Sequence, residues 1–334
     1  MRCWQAILAF LAVGCSTGRS QSGRDTSVTR LMTYNIQWFS EEASEERINR
    51  IKKILLKVSP DIVGLQEIQS KRALLQVFGN EWQIGIKDDP NQNQELAIAV
   101  RKPFVLVSAN LVFEDPGFDI GFPEERDALR CVVQTPSGQQ LVVYVVHMKS
   151  RRGGRIETDP QRVAGCGLLA AYIRSMSAEK NVAVVGDFND APNDQSLQVL
   201  ESGDLMAKGG GSDNHRLLTN LMDPLWRQDF ATLGVESANP GQKPRFPGAK
   251  ADNDRLRGRT YRFPDDVKVT QALFDQILVS QPLSKGATTP VIFLDPLATE
   301  GESGTTTVDD AGVHYESKGT RASDHLPVFV DIKM

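Results

Sequence analysis

Short apolar runs of strand length recur from Val28 onward, and several meet a polar residue at one end. Asn35 follows Leu31-Met32-Thr33-Tyr34, and Glu67 follows Ile62-Val63-Gly64-Leu65-Gln66. His147 follows Val142-Val143-Tyr144-Val145-Val146; Asp187 and Asn189 follow Val182-Ala183-Val184-Val185-Gly186. Asp275 follows Ala272-Leu273-Phe274, and Asp324-His325 precede Leu326-Pro327-Val328-Phe329-Val330. A buried strand ends where its sheet meets solvent, so such groups can line one rim and converge. Each alone has a plainer explanation. An Asn or Asp at a strand end caps a turn, a Glu is a solvated charge, and a His is a satisfied core or surface group. Repetition at successive strand ends argues for a shared site.

Helices alternate with these runs. Residues 44–58 place Ile48, Ile51, Ile54, Leu55 and Val58 at helical spacing, with Glu45 and Glu46 in the first turn and Pro60 as the stop. Further helices are expected at 70–78 and 160–178, and strands at 28–36, 61–68, 95–101, 103–113, 129–135, 141–148, 181–188, 270–280 and 326–332. Pro136-Ser137-Gly138 signals a hairpin. Residues 204–268, with Gly209-Gly210-Gly211, and the polar stretch 296–323 read as long loops. Hairpins mixed with helices suggest two sheets packed face to face with helices outside, an α/β (α+β) arrangement in one domain from 28 to 334.

The strand-end groups suit hydrolysis of a phosphate ester. Glu67, with Asn35 and Asp324 beside it, offers hard oxygen ligands for Mg2+, Mn2+ or Ca2+. Asp187, helped by Asn189, would orient or deprotonate the attacking water. His325 serves as general base or acid if Asp275 holds its other nitrogen, and His147 could protonate the leaving group or donate to phosphate.

The motifs Thr33-Tyr34-Asn35-Ile36, Leu65-Gln66-Glu67-Ile68, Gly186-Asp187-Phe188-Asn189 and Ser323-Asp324-His325-Leu326-Pro327-Val328 resemble the endonuclease/exonuclease/phosphatase family, in order and with suitable spacing. The resemblance runs over residues 28–334. It implies a four-layer α/β/β/α sandwich, two mixed sheets flanked by helices, with the site at one sheet edge. Leu273-Phe274-Asp275-Gln276 is similar to the family segment whose Asp supports the final His. Val146-His147-Met148-Lys149-Ser150 resembles the deoxyribonuclease I-type branch. Two further positions resemble that branch: Glu95, as the carboxylate that holds His147, and Arg126, as a phosphate contact, although Asp127-Ala128 departs from the usual Arg-Glu-Pro. Without the resemblance, Glu95 reads as a solvated strand charge and Arg126 as a surface ion pair with Asp127.

Substrate and location are less constrained. A net charge of −4 gives no global pull toward nucleic acid. Two local basic stretches stand out: Arg151, Arg152 and Arg155, and residues 243–262 with Lys243, Arg245, Lys250, Arg255, Arg257, Arg259 and Arg262. They read either as tracks for a nucleic-acid backbone or as solvated loop charge. The leading expectation is a nuclease or related phosphodiesterase. A phosphatase or sphingomyelinase-like phospholipase on the same fold, and a non-catalytic binding module, are the alternatives. Residues 1–15 read as an export signal, short of a bilayer span, whose Ala12-Val13-Gly14-Cys15 resembles a lipobox. Cys15 would then carry lipid and tether the protein to a membrane, with 16–27 as a polar spacer. Ordinary secretion, to the medium or the periplasm, and an uncleaved cytoplasmic start are the other readings. In the body, Cys131 and Cys166 are two buried thiols or one disulfide.

Overall fold

A computed structural model describes residues 27–90, 92, 94–123, 126–151, 154–204, 216–228, 230–233, 272–309, 312–316 and 319–334. The proposed export signal and nearly all of its spacer, the basic stretch 243–262, Arg152 and most of 204–268 lie outside them.

Two six-stranded mixed sheets carry the fold. The strands are β1 (Val28–Phe39), β2 (Ile62–Ile68), β3 (Trp82–Ile86), β4 (Glu95–Arg101), β5 (Val105–Val112), β6 (Ala128–Gln134), β7 (Gln140–His147), β8 (Val182–Asp187), β9 (Thr219–Asn220), β10 (Asp275–Val279), β11 (Val291–Ile292), β12 (Thr305–Asp309), β13 (Gly312–Glu316) and β14 (Val328–Lys333). One sheet runs β11-β14-β1-β2-β4-β3 and the other β5-β6-β7-β8-β10-β9. Helices among the described residues include α1 (Glu45–Val58), α2 (Lys71–Leu74), α3 (Arg155–Ser175), α4 (Gln195–Ser202) and α5 (Asp223–Arg227).

Period-two alternation explains why the sheets face each other. Along β7, Val143 and Val145 join the core shared with the other sheet, while Val142, Tyr144 and Val146 pack under α3 and α4. Along β8, Ala183 and Val185 face inward and Val182 and Val184 outward. Each fully buried valine contributes about 1.5–3 kcal/mol relative to exposure, so a one-residue slip of either strand is strongly disfavoured. Gly64 sets the spacing between the sheets: a Cβ there would lie 2.7 Å from Val185 Cγ2.

Sequence patterning places most of these elements and mistakes several limits. The helix expected at 70–78 is only Lys71–Leu74, capped by the Ser70 hydroxyl. The helix expected from 160 begins five residues earlier, with Pro160 inside it. Arg155, paired with both Asp159 and Asp194, anchors that added turn. The polar stretch 296–323 is not all loop: it holds a short helix, Pro296–Thr299, and the β12–β13 hairpin. Cys131 and Cys166 are free and belong to different core clusters, the first between the sheets and the second under α3, so no disulfide joins them.

Candidate active site

The alternation that builds the core also delivers the site. On β7 the inward positions 143 and 145 continue to His147; on β8, 183 and 185 continue to Asp187; on β10, Asp275 shares the inward face with Ile277 and Val279. Pairing sets these three residues side by side, since Asp187 is the register partner of both His147 and Asp275. From the facing sheet, Thr33 pairs with inward-facing Gly64, and two residues further along β1 Asn35 reaches across. Its Nδ2 donates to Glu67 Oε1 at 3.0 Å and to Asp187 Oδ2 at 3.2 Å.

Alternation alone would not aim Glu67 inward, because Gly64 and Gln66 already occupy the inward positions of β2. The backbone breaks pattern there. Glu67 has φ 61°, and the β2–β4 register shifts between Leu65 and Ile68. Across from it, Gln37 and Trp38 have φ 43° and 51°. The Trp38 N–H then bonds Glu67 Oε2 at 3.1 Å, and the Gln37 N–H bonds Asn35 Oδ1 at 2.9 Å. Asn189, φ 52°, donates its N–H to Asp187 Oδ1 at 2.8 Å and its amide to the Met148 carbonyl at 3.0 Å. Non-glycine residues in this region cost free energy and persist where surroundings hold them, as at functional sites. Gly186 is required for another reason: a Cβ there would lie 1.9 Å from the Val146 carbonyl oxygen.

Asp187 Oδ2 is the hub. His147 Nε2 and His325 Nε2 each lie 3.6 Å from it, and His147 Nε2 lies 3.8 Å from Glu67 Oε1. The fully buried Asp275 accepts from His325 Nδ1 at 2.8 Å. The two histidines are shifted in opposite directions. Burial drives His147 well below the ordinary imidazole range, with the cations of Arg126 and His325 pushing the same way. Burial also opposes charge on His325, but Asp275 and then Asp187 outweigh it and raise it well above that range. Burial lifts Glu67 to about 7, and Asp324 adds to the rise. Burial likewise lifts Asp187 to about 6, against the pull of His325.

The expected residues thus meet, with exceptions. Arg126 is close enough for its charge to act on His147. Glu95 lies at the same rim, opposite Ile68, but does not hold His147. One Glu95 oxygen takes the Asp89 N–H, the other is buried without a partner, and His147 Nδ1 is likewise unpartnered. Asn35 turns its nitrogen, not its oxygen, toward the carboxylates; offering the oxygen to a cation would give up the Gln37 bond. Asp324 acts on Glu67 and His325 through its charge. Among the described residues, Glu67, His147 and Asp187 form the group able to hold a metal ion, one ligand atom from each lying within 4.8 Å of the others. A half-buried and a buried carboxylate, both pushed upward beside an imidazole, fit a hard divalent cation, which would offset their desolvation.

Arg151 and Arg155 do not form a free basic track. They are buried with Arg162 in a network with Asp159, Asp190 and Asp194: Arg151 Nη2 lies 2.6 Å from Asp194 and 3.0 Å from Asp190, and Arg162 Nε lies 2.8 Å from Asp190. Arg151 Nε also donates to the Asn189 carbonyl at 2.8 Å, so the network braces the turn after Asp187. Sequence reading missed this role. The local signal was Asp159, four residues after Arg155 and three before Arg162; Asp190 and Asp194 join them only through the fold.

A model of the endonuclease/exonuclease/phosphatase family matches residues 32–325. No curated protein matches the sequence. Among solved structures, D. rerio TDP2 complexed with a single-strand DNA product is 16% identical, with 92% of this chain and 100% of that one covered and a TM-score of 0.55. The human nocturnin catalytic domain with bound sulfate is 18% identical, with 92% and 94% covered and a TM-score of 0.54. A mannosyl-6-phosphatase of Bacteroides thetaiotaomicron is 15% identical, with 92% and 100% covered and a TM-score of 0.57. At these identities the likeness shows the shared fold.

Proposed function

The chain belongs to the endonuclease/exonuclease/phosphatase family and is a phosphoric ester hydrolase, and we propose that it is a divalent-metal-dependent phosphodiesterase acting on nucleic acid. The observation that carries this reading is Asp187 Oδ2 set 3.6 Å from the Nε2 atoms of both His147 and His325, with Glu67 beside it. Glu67, with Asp324 or His147 completing the set, would hold Mg2+, Mn2+ or Ca2+. When bound, such a cation supplies charge neutralisation at the phosphate and the leaving oxygen. Asp187 Oδ2 accepts a proton from the attacking water. His325, charged and fixed by Asp275, donates its Nε2–H toward the phosphate oxygens and stabilises charge as the phosphorus becomes five-coordinate. Arg126 serves as a second phosphate contact. Asn35 and the Trp38 N–H keep Glu67 in place.

A diester leaves as an alkoxide, whose charge the bound cation and the Nε2–H of His325 would offset. The likeness in fold to TDP2 complexed with a single-strand DNA product is in keeping with this substrate class. A second reading, a small phosphomonoester, draws support from the ion pairing of Arg151 and Arg155, which takes two arginines away from any backbone track. Assays of the purified protein on plasmid DNA, RNA, sphingomyelin and sugar phosphates, with Mg2+ and with EDTA, separate them. Metal-dependent cleavage of DNA or RNA is expected; turnover of sugar phosphate alone would select the second reading.

We further propose that the protein is exported, with Cys15 as a lipidated first residue that tethers it to a membrane. The apolar run ending in Val13-Gly14-Cys15 supports this. Mass spectrometry of protein from its native host should find lipid on Cys15; a mature chain that begins beyond it without lipid leaves ordinary secretion.

A further inference from the structure

Arg47 stands in the first turn of α1 and is fully buried. A buried guanidinium is costly unless its donors are met. Its Nη2 donates to the carbonyls of Ile36 and Gln37, each at 2.5 Å, and its Nε donates to the carbonyl of Ala322 at 3.2 Å. The Phe39 ring lies 5.6 Å from the guanidinium carbon. These carbonyls belong to two segments from opposite ends of the domain, and both carry the site. Residues 35–38 supply Asn35 and the Trp38 N–H that holds Glu67; residues 322–325 supply Asp324 and His325. Ser323 makes a second tie between them: its hydroxyl donates to the Asn35 carbonyl at 2.7 Å and accepts the His325 N–H at 3.1 Å.

The first segment needs an external hold. Gln37 and Trp38 both sit at positive φ, and a relaxed backbone there would swing the Trp38 N–H away from Glu67. Arg47 grips the carbonyls of Ile36 and Gln37, on the residues flanking and forming that bend. Its planar fork reaches both segments at once, which a lysine ammonium on a flexible stem does not.

We propose that Arg47, together with Ser323, is a positioning clamp that fixes Glu67 relative to Asp324 and His325 and so sets the affinity of the site for a divalent cation. Arg47 touches neither cation nor substrate. The inference rests on the metal-dependent reading above and deepens it, because it assigns affinity to residues outside the ligand set.

The test is calorimetric titration of the full chain with Mn2+, without substrate, for wild type, Arg47→Lys and Ser323→Ala, alongside thermal melting. Outer partners of metal ligands are typically worth about 10–100-fold in affinity. Arg47→Lys should weaken Mn2+ binding by about that factor at a temperature where the variant is folded, and should lower kcat with little change in KM. Ser323→Ala, which deletes one hydroxyl, should weaken Mn2+ binding in the same direction. A residue that only stabilises the fold would lower the melting temperature and leave the Mn2+ affinity of the folded protein unchanged; that result overturns the clamp. If Arg47→Lys does not fold, unchanged Mn2+ affinity in Ser323→Ala overturns it instead. Absence of Mn2+ binding in wild type would bring down the metal reading itself, and the clamp with it.

Discussion

Two histidines within reach of one carboxylate oxygen are shifted in opposite directions: burial lowers His147, while Asp275 and Asp187 raise His325 against burial. His325 has Asp275 behind it; His147 has an unpartnered Nδ1 and the cation of Arg126 nearby. Replacing His325 by Ala should therefore cut turnover by about 10²–10⁴, and Asp275→Asn should do the same more mildly by releasing the imidazole. Both variants should keep their fold, because neighbouring residues rather than the imidazole fill the core. Steady-state kinetics with melting curves check this, and near-wild-type turnover in His325→Ala would mean that the donor to the phosphate is elsewhere. Glu67 offers a pH test. Its carboxyl is raised to about 7 in the fold from an ordinary value near 4.5, so the folded state holds its proton more tightly than the unfolded chain. That stability is present at low pH and lost as pH rises through about 7. In EDTA, the melting temperature should fall between about pH 5 and 8. Glu67→Gln, which mimics the protonated acid, should flatten part of the slope, and Mg2+ should restore stability most at the alkaline end. An equal slope in wild type and Glu67→Gln would show that Glu67 is not held in a desolvated site.

At the scale of elements, what was legible in the sequence was what alternation governs. His147, Asp187 and Asp275 continue the inward rows of β7, β8 and β10, and Asn35 continues that of β1, so apolar patterning located them. Glu67 was legible by its motif but not by its direction, which depends on a positive φ that no pattern of hydrophobicity reveals. Glu95 and the basic residues at 151 and 155 misled for a related reason: a charge in sequence says nothing about which buried partner it will find. The Arg151–Asp190–Asp194 network gives an element-level prediction. Arg151→Met takes one cation from Asp190 and Asp194, which keep Arg162 and Arg155 as partners, and should destabilise the protein by about 1.5–3 kcal/mol, the range for hydrogen bonds to charged groups. Arg151→Met with Asp194→Asn removes the excess carboxylate charge and should recover part of that loss. Denaturant unfolding of both variants decides it; a single variant as stable as wild type would show that the network contributes nothing.

The whole molecule is a device for bringing two sheet edges together. Neither sheet holds the site alone: Asn35, Glu67, Asp324 and His325 come from one side, and His147, Asp187 and Asp275 from the other. The core between the sheets, which includes Leu31, Ile62, Val145, Val185 and Ile277, fixes their separation to within hydrogen-bond length. The same core spans both halves, so the described domain should unfold in one transition by fluorescence and by circular dichroism, with two separated transitions as the contrary result. Sequence patterning foresaw this architecture because strand alternation and helix caps act locally. It could not rank the substrates, because the rim is made by tertiary contact. The most direct test of the account is hydrolysis of a phosphodiester substrate by wild type, Glu67→Gln and Asp187→Asn, after exhaustive chelation and then with Mg2+ added back. Wild type should be inactive when stripped and recover on addition, while Glu67→Gln should need far more Mg2+ and Asp187→Asn should stay nearly inactive at any concentration; full activity of the stripped wild-type protein would contradict the account.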